Sequence, residues 1–202
     1  MNVKAIGDYA FTGCGSLTQV DFGNDLISIG ADAFNSSGIT EDIVITPNIQ
    51  TIGEGAFRNI KAKIYNLTDI EIDADNIVKT TSEGSCGEST SYKIAGEYMA
   101  IRGSGVTEDY SENGQQYNEH INDIKSIYIQ EGVTGLGSRV FCNFSNVTKA
   151  EIPETVETIG AYAMAYTINI NDINTIPKSI TTIGSNGLTS CGIEGRLVLP
   201  KL

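Results

Sequence analysis

Apolar residues in this chain return on a long beat rather than in helical stripes. Ile6-Gly-Asp-Tyr-Ala-Phe11 recurs as Ile29-Gly-Ala-Asp-Ala-Phe34 and Ile52-Gly-Glu-Gly-Ala-Phe57, 23 residues apart each time. A second series runs Leu136-Gly-Ser-Arg-Val-Phe141, Ile159-Gly-Ala-Tyr-Ala-Met164 and Ile183-Gly-Ser-Asn-Gly-Leu188, at intervals of 23 and 24. Between hexapeptides lies a short alternating segment: Val20-Asp-Phe22, Ile43-Val-Ile45, Ile127-Tyr-Ile129, Ala150-Glu-Ile152 and Leu197-Val-Leu199. Alternation over three residues predicts a short strand whose middle side chain points outward. Beyond each strand stands a second apolar anchor, at Leu26, Ile49, Val133, Val156 or Ile180, and then the next Ile-Gly.

A fixed period of this length is the mark of a stacked repeat. One turn cannot bury its own apolar row, so each turn must lie on the next, with Ile6 against Ile29 and Phe11 against Phe34. The glycine after each Ile marks a corner that a Cβ would obstruct. The expected architecture is a solenoid of short β-strands and turns with little helix, in two three-coil arrays of about 23 residues per coil.

The beat breaks between the arrays. The expected organisation is array 1 over 1–74, an interrupting module over 75–125 and array 2 over 126–202. Inside the module, Ser85-Cys86-Gly87, Tyr92-Lys-Ile94, Met99 to Gly105 and Asp109-Tyr110-Ser111 read as short strands with glycine turns, including a β-hairpin. Such a piece fits a cap over the apolar end of a new array. Val3 falls in the slot of Leu26, so the chain opens midway round a turn and is expected to be a segment of a longer protein.

The repeated I-G-x-x-A-F, the C-x-x-L-x-x-V at Cys14, Leu17 and Val20, and the I-P-x-x-V-x-x-I-G from Ile152 to Gly160 resemble the BspA-type leucine-rich repeat of bacterial and protozoan surface proteins. The resemblance covers roughly residues 1–72 and 121–202, without the asparagine ladder that follows the strand in ordinary leucine-rich repeats. The module is also similar to one that precedes fresh arrays in bacterial members. The resemblance implies an α/β-class leucine-rich repeat fold and a non-catalytic interaction or adhesion module of an exported protein. It implies an extracellular or cell-surface location and a protein partner, such as a host or extracellular-matrix protein. A structural stalk displaying another domain is the alternative.

Composition narrows the surface chemistry. A formal net charge of −12 repels phosphate backbones and anionic lipid, so a nucleic-acid partner is not expected. No apolar run reaches the roughly 18 residues that a spanning helix needs, so this segment is not expected to insert in a membrane. The 22 Gly and 16 Asn, spread along the chain, point to turns at regular intervals.

Candidate chemistry is sparse. His120 is the only histidine and lies in the polar stretch Gln115 to Asp123, so it reads as incidental and supports neither a His-based metal cluster nor a Ser–His or Cys–His pair. No G-x-S-x-G elbow is present, and neither an enzyme nor a cofactor is expected. Cys14 and Cys191 share a repeat slot, where burial in the stack is expected; no C-x-x-C exists, and Cys86 and Cys142 cannot be paired from sequence. The four matches to the glycosylation sequon, at Asn35, Asn66, Asn143 and Asn146, are about what this composition yields by chance.

Two surfaces remain. Asp69-Ile-Glu71-Ile-Asp73-Ala-Asp75 would put four carboxylates on one face of a strand, a weak Ca²⁺ candidate because neighbours would stand about 7 Å apart. Outward strand positions should form one grid, with Gln19, Asp21, Asp42, Val44, Tyr128, Glu151, Thr175 and Val198 as the candidate partner-binding residues.

Overall fold

In the first array the Ile of each Ile-Gly pair ends a two-residue strand that lies in register on its counterpart. Ile6 is opposite Ile29, and Ile29 opposite Ile52, in a three-stranded parallel sheet of Ala5–Ile6, Ser28–Ile29 and Thr51–Ile52. The computed structural model describes residues 3–167, 169–170 and 176–192. These fall into two compact units, Met1–Thr81 and Ser82–Leu202. Each has its own apolar core, the first around Leu26, Phe34, Ile43 and Phe57, the second around Tyr117, Ile127, Phe141 and Phe144.

The corner glycines are needed because turns press together there, not because of their own backbone angles. A Cβ on Gly30 would stand 2.5 Å from the Gly7 carbonyl carbon, and one on Gly53 would stand 2.6 Å from that of Gly30. Gly137, Gly160 and Gly184 meet the backbone of the stretch before them in the same way. The left-handed residues lie elsewhere. The fourth position after the corner Ile, counting it as first, has positive φ in every turn: Tyr9, Asp32, Gly55, Arg139, Tyr162 and Asn186. So has the eighth: Gly13, Ser36, Asn59, Asn143, Tyr166 and Ser190. The regular turns are therefore present, but ten of these twelve positions carry a side chain rather than glycine.

These kinks aim alternate N–H groups at the following turn. Tyr9, Phe11 and Gly13 donate to the carbonyls of Ala31, Ala33 and Asn35, while Asp32, Phe34 and Ser36 donate to those of Glu54, Ala56 and Arg58. The second unit repeats the ladder from Arg139, Phe141 and Asn143 to Ala161, Ala163 and Ala165. The convex side is thus hydrogen-bonded between turns without being helical. Among the described residues the only helical element is the 3₁₀ turn Asn118–His120.

On the other side run the longer strands. In the first unit Ile43–Ile45, Ile64–Asn66 and Ile77–Val78 form a parallel sheet. Val20–Phe22, expected as a strand, is not one. The N–H groups of Thr40 and Glu41 both converge on the Thr18 carbonyl, and Gly23 N–H donates to Asp21 Oδ1, so the segment closes into a turn before a ladder can form. Leu197 to Leu199 lies outside the described residues.

In the second unit the sheet order is Lys149–Glu151, Ser126–Ile129, Tyr98–Gly103, Thr90–Ala95, Ser82–Ser85. Thr90–Ala95 and Tyr98–Gly103 form the antiparallel hairpin, turned at Gly96 with φ 56°. The second hairpin strand also pairs in parallel with Ser126–Ile129, placing Met99 opposite Ile127. Asp109-Tyr110-Ser111 is not a strand. Its neighbour Gly105–Val106 is, pairing with Val133–Leu136, and Asp109 then accepts the Ser138 N–H with a carboxylate oxygen.

The cysteine slot behaves differently from its expected burial. Cys14 is exposed because nothing among the described residues stacks before the first turn, Cys191 is half-buried, and among the described residues no two cysteines form a disulfide.

Candidate functional site

Alternation along the five-stranded sheet sends Ile94, Met99, Ile101, Ile127, Ile129 and Ala150 into the core. The residues between them face the other way, and the register sets them in one row: Glu83, Lys93, Ala100, Tyr128 and Glu151. Ser91 and Arg102 form part of the next row, and Tyr98, Ser126 and Lys149 the row on the other side.

The row is packed rather than open. Ala100 is 0% exposed, Tyr128 4% and Lys93 8%. Lys149 Nζ sits 5.4 Å from the Tyr128 ring centroid and 2.7 Å from Glu151, capping the aromatic face with a cation that is itself paired. Lys93 Nζ lies 3.9 Å from Glu83. Tyr128 is therefore an outward residue but not an exposed one, a correction to its expected accessibility: the register lays Lys149 over it from the neighbouring strand. The accessible edges of this face are the exposed Glu83 and the half-buried Tyr98, Arg102, Lys149 and Glu151.

The first unit has its own, smaller version. Gln19, Asp21 and Asp42 are exposed and Val44 is half-buried. Opposite Val44 stands Tyr65, 8% exposed and outside the core cluster. Sequence reasoning missed Tyr65 because Ile64-Tyr-Asn66 follows Ile43-Val-Ile45 by 21 residues and ends in a polar one. It missed Lys93, Tyr98 and Arg102 because the module's strands were not placed in the outward grid. Thr175 and Val198 lie outside the described residues.

The four carboxylates from Asp69 to Asp75 alternate with half-buried neighbours, so they share an exposed side, but residues 69–75 form no strand. Asp73 is held by Arg58, 3.1 Å away. Among the described residues no group of three or more His, Cys, Asp and Glu side chains converges to hold a metal ion. His120 ends the 3₁₀ turn, with Glu119 at 3.5 Å and Asp123 at 3.7 Å.

Behind the sheet, the rings of Tyr92 and Tyr110 both meet that of Tyr117, with centroids 4.8 and 5.9 Å away. Burial pushes the Tyr110 and Tyr117 hydroxyls up, out of reach of ordinary acid–base work. Tyr117 donates to the Val140 carbonyl at 2.9 Å, which makes it a structural tie.

A model of the BspA type leucine-rich repeat region matches residues 1–95 and 107–194, in 6 copies. The chain belongs to the BspA-type leucine-rich repeat family. This is a leucine-rich repeat family of bacterial surface proteins, generally non-catalytic, whose repeats typically bind proteins. Among solved structures, the chain is similar to a leucine-rich repeat protein from Eubacterium ventriosum, with 19% identity, a TM-score of 0.46, and 51% of this chain against 28% of that one covered. It is also similar to a leucine-rich cell surface protein from Faecalibacterium prausnitzii, with 20% identity, a TM-score of 0.36, and 95% against 50% covered. The BspA-type chain therefore matches half or less of the length of these two proteins. No curated protein matches the sequence. Among the described residues no helix is long and apolar enough to cross a membrane.

Proposed function

We propose that this BspA-type chain is a non-catalytic protein-interaction or adhesion module of an exported cell-surface protein, and that it binds a host or extracellular-matrix protein through its strand faces. One observation carries the reading: the in-register row from Glu83 to Glu151, which turns five strands into a single rigid surface edged by tyrosine and paired charges. Such a surface loses little side-chain freedom on binding, because its central members are already fixed. Tyrosine and arginine are the residues that interfaces favour. In the first unit Asp21 and Asp42 supply an acidic counterpart that suits a basic patch.

The test is capture of immobilised extracellular-matrix proteins by the purified chain, with Lys149→Glu and Asp21→Arg as variants. Weakened capture with an unchanged melting curve supports the reading. A second reading is a spacer without a ligand, favoured by how little of Ala100, Lys93 and Tyr128 reaches solvent. Failure to capture any protein of the panel, together with indifference to both variants, would select the spacer.

A further inference from the structure

The first two turns show what a convex N–H takes as its partner. Phe11 and Phe34 donate to the carbonyls of Ala33 and Ala56, and Gly13 and Ser36 to those of Asn35 and Arg58. In the third turn the equivalent donors are the N–H groups of Phe57 and Asn59, and among the described residues no acceptor meets either.

The cause is a short cut in the chain. Ile64 pairs with Ile77, only thirteen residues on, so the fourth turn reaches its next strand before laying a full convex stretch over the third. Asn76 Nδ2 donates to the Ile60 carbonyl at 2.8 Å, and Asp73 holds Arg58, which fixes the short cut in place. What remains is a cleft of about 390 Å³ lined by Phe57, Arg58, Asn59, Lys61, Asp73 and Ala74. Phe57 is itself 1% exposed, so its N–H gains little from bulk water and is costly to leave unmade.

We infer that this cleft binds a short turn-forming peptide segment of a protein partner, kinked as Ile29–Ser36 is, whose carbonyls at alternate residues accept from the Phe57 and Asn59 N–H groups and complete the ladder. The filled seats define its chemistry. Both carbonyls that meet a phenylalanine N–H belong to alanine, so a small residue sits first and a polar residue follows two positions later. Arg58 already faces Asp32, Glu54 and Asp73, and Asp75 lies beside the cleft with Lys61, so the rim offers no free excess of positive charge. With a net charge of −12 on the chain, a neutral or basic peptide fits and an acidic one does not. This is main-chain recognition of the strand-addition kind, moved to a turn ladder. It lies apart from the strand faces, so either idea can fail without the other.

The probe is an acetylated, amidated peptide copying Ile29–Ser36, with a scrambled peptide as control, titrated into the ¹⁵N-labelled full chain. The expected result is saturable movement of the Phe57 and Asn59 amide signals and at least tenfold slower exchange of both, with Phe34 and Ser36 unmoved. Ala74→Trp should abolish the movement, and Lys61→Trp, at the exposed rim, serves if the first variant fails to fold. A Phe57 amide that exchanges in the free chain as slowly as that of Phe34 overturns the proposal, as does the absence of movement at saturating peptide. Movement that grows with protein concentration alone would hand the cleft to a second copy and overturn the partner assignment.

Discussion

Gly7, Gly30 and Gly53 occupy one repeat slot yet should answer differently to a methyl group. A Cβ on Gly30 or Gly53 meets backbone of the preceding turn at 2.6 Å or less, whereas one on Gly7 meets nothing within 4 Å. Gly30→Ala is expected to cost about 1–3 kcal/mol, as overpacking does, while Gly7→Ala should be neutral or stabilising by about 0.5 kcal/mol through the unfolded chain; urea denaturation distinguishes them. The need for glycine at the corner was legible in the repeat. The left-handed positions were not, because Tyr9, Arg139, Tyr162 and Tyr166 are residues that no composition rule sends to positive φ. A pH effect belongs to this scale too. Burial pushes the Cys86 thiol from 9.0 up to about 11, so the folded chain keeps a proton that the unfolded chain releases. That contribution is complete below pH 9 and is lost as pH rises toward about 11, an effect of order 2–3 kcal/mol. Between pH 8 and 10.5 the wild type should lose more stability than Cys86→Ala, since Tyr110 and Tyr117, raised first by burial and only secondarily by Cys86, are common to both chains.

Among elements, the ring column shows how much of the fold the repeat dictates. Phe11, Phe34 and Phe57 stack with centroids 5.1 and 5.7 Å apart and planes within 7° and 2° of parallel, as the 23-residue spacing requires. Phe34 is enclosed on both sides and Phe11 is 38% exposed. Phe34→Ala should therefore cost about 3–5 kcal/mol and Phe11→Ala about 1–2 kcal/mol, read from denaturation midpoints. Elements whose evidence is local alternation alone fared less evenly. Ile43–Ile45 is a strand, because Ile64–Asn66 pairs with it, whereas Val20–Phe22 lacks such a ladder. Asp69 to Asp75 keeps its alternation of exposed acids and half-buried neighbours without pairing at all. Alternation reports which side meets the core, and only a partner in register makes a strand of it. Because those acids do not converge, millimolar Ca²⁺ should shift the melting temperature no more than NaCl of matched ionic strength.

For the whole molecule, the sequence beat foretells stacking within each array but not where cooperativity stops. That is decided by which side chains share a core, and the clusters around Phe34 and around Tyr117 have no residue in common. In a stacked repeat each turn is stabilised by its neighbours, so damage spreads along an array through turn-on-turn contacts and fades where those contacts end. Phe34→Ala removes the middle ring of the first column and should lower the protection of amides in Ser28–Ile29, Ile43–Ile45 and Thr51–Ile52 together. Amides of Tyr98–Gly103 and Ser126–Ile129, whose residues pack around Met99 and Ile127, should retain wild-type protection. Hydrogen exchange read by mass spectrometry on the intact variant makes the comparison in one experiment. Equal loss of protection in both regions would show that the two cores unfold as one, and the division between Thr81 and Ser82 would then be a feature of geometry without energetic meaning.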